Sequence, residues 1–256
     1  MYLPIQPQKT CARAWVAAAL QIKQQKEAYN VVIDVEQPST HEKQDHEVIT
    51  LVDKFLRKHG QNPISTVVNT IFPQAMYEAY GSPDFYQEYW KVYDTLTSGW
   101  GRYFERMTRH QTLDGEPYNP LQTLIDRLRD RKKPKAQKYK SAYELAVFDP
   151  LLDGRMFRGG QCLSFISLKL DPRRGLLMTA LYRNHTYITR CLGNLIGLGR
   201  LQAFIAKEAQ VPVGSLTCIS THAELDTGDG WGIVGARKLV DEAAELLEFN
   251  VERVGG

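Results

Sequence analysis

The chain has no long apolar run: charge or glycine interrupts each hydrophobic stretch before 18 residues, so no membrane-spanning helix is expected. Its opening, MYLPIQPQKT, lacks the charged-then-apolar order of a secretory leader, and a cytoplasmic protein is expected. Cysteine is scarce. The four, at 11, 162, 191 and 218, form no CxxC pair and no zinc-finger spacing, which argues against a disulfide framework and a structural metal. Each is read first as a small buried apolar side chain. Neither sign of charge dominates: 32 Lys and Arg face 29 Asp and Glu, too even a balance to argue nucleic-acid binding. Internal repeats and low-complexity tracts are missing, as are the GxxxxGK[ST], HExxH and GxSxG signatures. The glycines of GDGWGIVG (228–235) do not follow a strand with an acidic residue at the right distance, so a loop is expected there.

What is present is an ordinary globular composition, 43% hydrophobic and 24% charged, over 256 residues. That length supports a core without staples. Residues 11–29 carry Trp15, Ala18, Ala19 and Ile22 at helical spacing, and 31–35 (VVIDV) read as a strand. A second helix holds Val48, Leu51, Val52 and Phe55 and closes at Gly60 and Pro63, while 64–72 (ISTVVNTIF) reads as an extended or buried segment. Residues 74–97 are aromatic-rich with a helical rhythm, and 119–131 form an amphipathic helix. Arg127 to Lys140 then supplies eight basic side chains in 14 residues, read chiefly as a solvated helix end and loop. In the second half, 161–170 and 176–188 form a hairpin around the DPRRG turn. A buried helix (194–210), a third strand (215–226) and a last amphipathic helix (235–249) follow. One mixed α/β (α+β) domain over 1–256 is the economical reading.

Cys162 opens a strand after FRGGQ, Arg183 ends the next with Asn184 and His185, Asn194 starts a helix after LG, and His222 lies on the last strand. Eleven residues separate Arg183 from Asn194, and 28 separate Asn194 from His222. In order and register, QCLSFISLKL…LLMTALYRNHTYITRCLGNLIGLG…VPVGSLTCISTHAEL resembles the thymidylate synthase and pyrimidine nucleotide C5 hydroxymethylase family, best over 155–226. WGRYFERM (100–107) is a fainter echo, and residues 1–98 are divergent.

The resemblance implies a large twisted mixed sheet flanked by helices, a homodimer packed through one sheet face, and a methyl- or hydroxymethyltransferase of nucleotide biosynthesis. Cys162 would be the nucleophile, adding at C6 so that C5 can attack a one-carbon electrophile. Arg183 would hold phosphate and favour the thiolate. Asn194 would pair with N3–H and O4 of a uracil ring, making dUMP or UMP better candidates than dCMP or CMP. His222, with Asn184 and Glu224 near it, would face the sugar, and Lys138 and Lys140 would be the nearest counterparts of a phosphate pair lent by the partner subunit. The family's one-carbon donor is 5,10-methylenetetrahydrofolate. Here Leu163 follows the nucleophile where the family has histidine, Thr186 replaces a folate-binding aspartate, Glu224 replaces a sugar-binding tyrosine, and only 34 residues follow His222. These departures keep open folate-free C5 chemistry and a non-catalytic nucleotide-binding module. No metal, membrane or nucleic-acid partner is expected.

Overall fold

The computed structural model describes residues 2–95, 103–131, 140–155, 160–228 and 230–249. In chain order the elements are β1 (Leu3–Pro4), α1 (Cys11–Gln25), β2 (Glu27–Val35), α2 (Lys43–Lys58), α3 (Ile64–Ile71), α4 (Gln74–Tyr80), α5 (Asp84–Asp94) and α6 (Tyr103–Thr108). They continue with β3 (His110–Gln111), β4 (Pro117–Tyr118), α7 (Pro120–Asp130), β5 (Glu144–Ala146), β6 (Leu163–Asp171), β7 (Gly175–Tyr182) and β8 (His185–Thr186). A π-turn (Tyr187–Cys191), α8 (Leu192–Ala209), β9 (Val213–Glu224) and α9 (Gly232–Leu246) complete the set.

The main sheet is mixed, in the order β1-β2-β9-β7-β6-β5, with β8 added to β9. β6 and β7 form the expected antiparallel hairpin, and β7 and β9 run parallel, which requires the crossover that α8 provides. α1 and α8 pack on each other and on β2, β7 and β9, so one face of the sheet is sealed. Inward residues along β9 (Leu216, Cys218) and β7 (Met178, Ala180, Tyr182) are fully or almost fully buried, and α2, α3, α7 and α9 pack behind the two central helices as one domain. The opposite sheet face is only half-covered.

Local chemistry explains the joints. Thr10 caps α1 by accepting from Arg13 N, and its hydroxyl donates to the buried Asp45 carboxylate at 2.7 Å. The same carboxylate accepts from Glu42 N at the start of α2, so one buried acid ties two helix ends. α1 stops at Gln25, earlier than its periodicity predicts, because Lys26 turns left-handed (φ 69°) and β2 begins at once.

The segment 64–72, read as extended or buried, buries its apolar side chains, but its residues 64–71 are helical and only Phe72 is extended. Their β-branched content imitates a strand, but Ile64, Val67, Val68 and Ile71 fall at helical spacing and all face inward. α8 admits this helix closely because a Cβ at Gly193 would lie 2.7 Å from Val67 Cβ. The predicted strand 176–188 is likewise shorter, ending at Tyr182 before β8 and the π-turn.

Candidate functional site

The chemistry-bearing residues gather at one end of four adjacent strands. Leu163 pairs with Tyr182, and Arg183 N donates to Cys162 O at 2.9 Å, so the cysteine and the arginine face each other across the β6–β7 ladder. One residue further across, Thr221 Oγ1 donates to Arg183 O at 2.9 Å, and His222 pairs with Tyr29 of β2. A bulge at Ser164 offsets the ladder beside Cys162, and the Ser164 carbonyl accepts from Val147 N and Phe148 N. Bulges at strand ends re-aim the residues beside them.

Cys162 is partly exposed, whereas Cys11, Cys191 and Cys218 are buried; all four are free thiols. Burial pushes the Cys162 thiol above its ordinary range, and the positive charges of Arg183 and Arg190 pull it back without cancelling that effect. Arg183 is exposed, donates Nε–H to Gln161 O at 2.9 Å, and lies over the Phe148 ring at 5.6 Å. That bond holds the guanidinium beside Gly160, where a Cβ would lie 2.6 Å from Arg183 Nη2.

Asn194 sits within the first turn of α8, 4% exposed, and not at its cap. Its amide nitrogen donates to His185 Nε2 at 3.0 Å, while His185 Nδ1 is 2.9 Å from Ser220 Oγ and the ring stacks on Tyr182 at 4.2 Å. Accepting at Nε2 makes His185 the neutral Nδ1–H tautomer, and full burial lowers its pKa to about 3. Asn194 thus has its NH2 group engaged by the protein.

His222 is held at both nitrogens, by Asn184 Oδ1 at 2.5 Å and Glu27 Oε2 at 3.2 Å. Glu224 ends β9 opposite Glu27. Lys140 is exposed beyond α7, and Lys138 lies outside the described residues.

Sequence reasoning missed two residues near Cys162, Tyr103 and Arg190, and the acid that caps the turn carrying the second. Tyr103 opens α6, and its Oη accepts from Leu163 N at 3.4 Å; burial, then the charge of Cys162, holds its phenol well above the ordinary range. Arg190, in the π-turn, is near enough for its charge to act on Cys162, Tyr103 and Asp226. Asp226 caps that turn, accepting from Ile188 N at 2.6 Å, Thr189 N at 3.2 Å and Thr189 Oγ1 at 2.7 Å. Arg190 and Asn194 are four residues apart, one helical turn, and that spacing was the available signal.

Methylenetetrahydrofolate does not fit the residue that the resemblance assigns to it. Thr186 is a neutral hydroxyl 3.1 Å from the Thr189 hydroxyl, and the nearby carboxylate, Asp226, is spent on the π-turn. Among the described residues no cluster of His, Cys, Asp or Glu is placed to hold a metal ion, and no helix is long and apolar enough to cross a membrane. The chain matches no family model and no curated protein.

Proposed function

We propose that the protein is a thymidylate-synthase-like transferase that adds a methyl or hydroxymethyl group to C5 of a uridine-type nucleotide, through a covalent bond between Cys162 and C6. The observation that carries this reading is the pairing of a partly exposed thiol with Arg183 across one ladder, with His222 at the same strand ends and Asn194 in the first turn of α8, bonded to His185 of β8.

The steps follow from ordinary reactivity. The thiolate adds at C6, charge moves through C5 onto O4, and C5 attacks the one-carbon electrophile. A methyl group leaves its carrier with the bonding pair on the carrier. A formaldehyde-level carbon ends as hydroxymethyl when water replaces its carrier, and as methyl only if the donor also supplies a hydride. Loss of the C5 proton and expulsion of the thiolate restore the ring. The exposed Arg183 guanidinium supplies a fork for phosphate. Asn194 offers its carbonyl oxygen toward an N3–H donor, and its amide donor becomes available to O4 if the His185 bond is exchanged.

A homodimer fits the open sheet face. Ala146, Phe165, Leu181, Ile219, Val32 and Pro4 are successive register partners, an apolar row across six strands with Phe165 37% exposed. The adjoining row (Ser167, Thr179, Thr217, Asp34) is polar. A row of this kind suits a self-complementary, two-fold contact.

A second reading, a nucleotide-binding module without turnover, is favoured by the hydrogen bonds that already engage Asn194 and His222. Product mass separates the two. Incubating dUMP, UMP, dCMP and CMP with and without methylenetetrahydrofolate should give one nucleotide heavier by a methyl or hydroxymethyl group. Equal yield in both arms excludes folate as donor. Unchanged mass in all four, with binding retained in Cys162→Ser, favours the module.

A further inference from the structure

Arg183 is exposed and carries a long stem, yet three neighbours bound the place where its guanidinium lies. Nε donates to Gln161 O at 2.9 Å, and Cζ lies over the Phe148 ring, 5.6 Å from its centroid. The third neighbour is Gly160, where a Cβ would stand 2.6 Å from Arg183 Nη2 and 3.6 Å from Cζ. The guanidinium thus occupies space that a side chain at 160 would fill. Phe148 is itself held by the bulge of β6, since its N–H donates to Ser164 O at 3.1 Å. A carboxylate borders this seat without neutralising it: Asp153 Cβ is 3.6 Å from the same Cβ position of Gly160. Asp153 is buried and both its oxygens are engaged, Oδ1 by Arg106 Nη2 at 3.2 Å and Oδ2 by Asp149 N at 2.9 Å. Among the described residues no carboxylate forms an ion pair with Arg183.

We propose that Gly160 and Phe148 are positioning residues that seat the Arg183 guanidinium for the phosphate of a nucleotide. The inference rests on the C5-transfer reading and adds two residues to which that reading gives no task. An aromatic face and a glycine slot restrict a long side chain before the anion arrives, so less freedom is lost on binding. This preorganisation acts on the charged end of the ligand alone, and nucleoside binding is untouched by it. Filling the slot is mild for the fold. The atoms that a Cβ at Gly160 would crowd belong to the far end of Arg183, which can swing toward solvent, and Asp153 Cβ stays at ordinary contact distance.

The test measures affinity by calorimetric titration for dUMP against deoxyuridine and for UMP against uridine. The ratio within each pair isolates the phosphate. Gly160→Ala should cut that ratio by about tenfold, the loss of one charge-assisted contact, with nucleoside affinity and thermal midpoint kept. Phe148→Leu keeps an apolar side chain but removes the ring face, and should cut the ratio by about threefold. Adding Gly160→Ala to Arg183→Gln should cost nothing further, because the glycine acts only through that arginine. Should Gly160→Ala fail to fold, Phe148→Leu decides. Ratios within about twofold of wild type in the folded single variants overturn the proposal, as does a full additional loss in the double variant. A wild type with no preference for nucleotide over nucleoside overturns it too, while a gain in product mass would still uphold transfer to C5. A wild type that binds none of the four ligands overturns both.

Discussion

Cys162 and His185 show how burial sets opposite tasks for two titratable side chains. The thiol of Cys162 is raised by desolvation and drawn down by two guanidinium groups, so its reactivity should climb with pH through the alkaline range. Cys162→Ser is expected to keep stability within about 1 kcal/mol of wild type, because a partly exposed sulfur contributes little packing, while abolishing turnover. A chemical melt beside an activity assay checks both halves. His185 is fully buried and its pKa falls from 6.5 to about 3, so the folded ring stays neutral over a range where the unfolded one is protonated. The unfolded state therefore binds more protons below pH 6.5, and stability is lost as pH falls from there toward pH 3. The slope from this group approaches about 1.4 kcal/mol per pH unit. Urea midpoints at pH 7, 6, 5 and 4 test it, and a flat profile would contradict the assignment.

At the scale of elements, the junction of β8, the π-turn and α8 carries the site. Trp15 is fully buried and donates its indole N–H to Tyr187 O. Trp15→Phe keeps most of the apolar contact but leaves that carbonyl unsatisfied, an expected cost of about 1–3 kcal/mol. α8 also approaches the chain at Pro38, where a Cβ at Gly199 would meet a backbone oxygen at 2.1 Å. Gly199→Ala should destabilise by about 1–3 kcal/mol, read as a lowered denaturant midpoint. The hairpin, α8 and β9 were legible because turn residues and apolar period agree there. The helix at 64–71 was misread because six β-branched residues in eight outweighed a single helical face. Arg190 was missed for another reason: a π-turn leaves no signature in apolar spacing. Asn194 was legible as a special residue, but its partner His185 was not, since their contact depends on how β8 lies against β9.

Across the whole molecule, the sheet has one sealed and one half-open face, and the apolar row over six strands is the feature that asks for a partner. Ile219→Asp, at the centre of that row, should shift the protein from dimer to monomer in sedimentation velocity while leaving the fold intact. A wild-type monomer at micromolar concentration would contradict the dimer reading. Alternation along the strands made two faces legible in sequence, but which one the helices cover became clear only with the register. The strand ends then bring Cys162, Arg183 and His222 into one line, and the central claim is that this line performs covalent chemistry on a pyrimidine ring. Tritium release from C5-tritiated dUMP, UMP, dCMP and CMP, against Cys162→Ser, tests it most directly, because release requires addition at C6 and loss of the C5 proton whatever is transferred afterwards. The account predicts Cys162-dependent release from a uracil nucleotide. Absence of release from all four, with the protein folded and nucleotide bound, would contradict it.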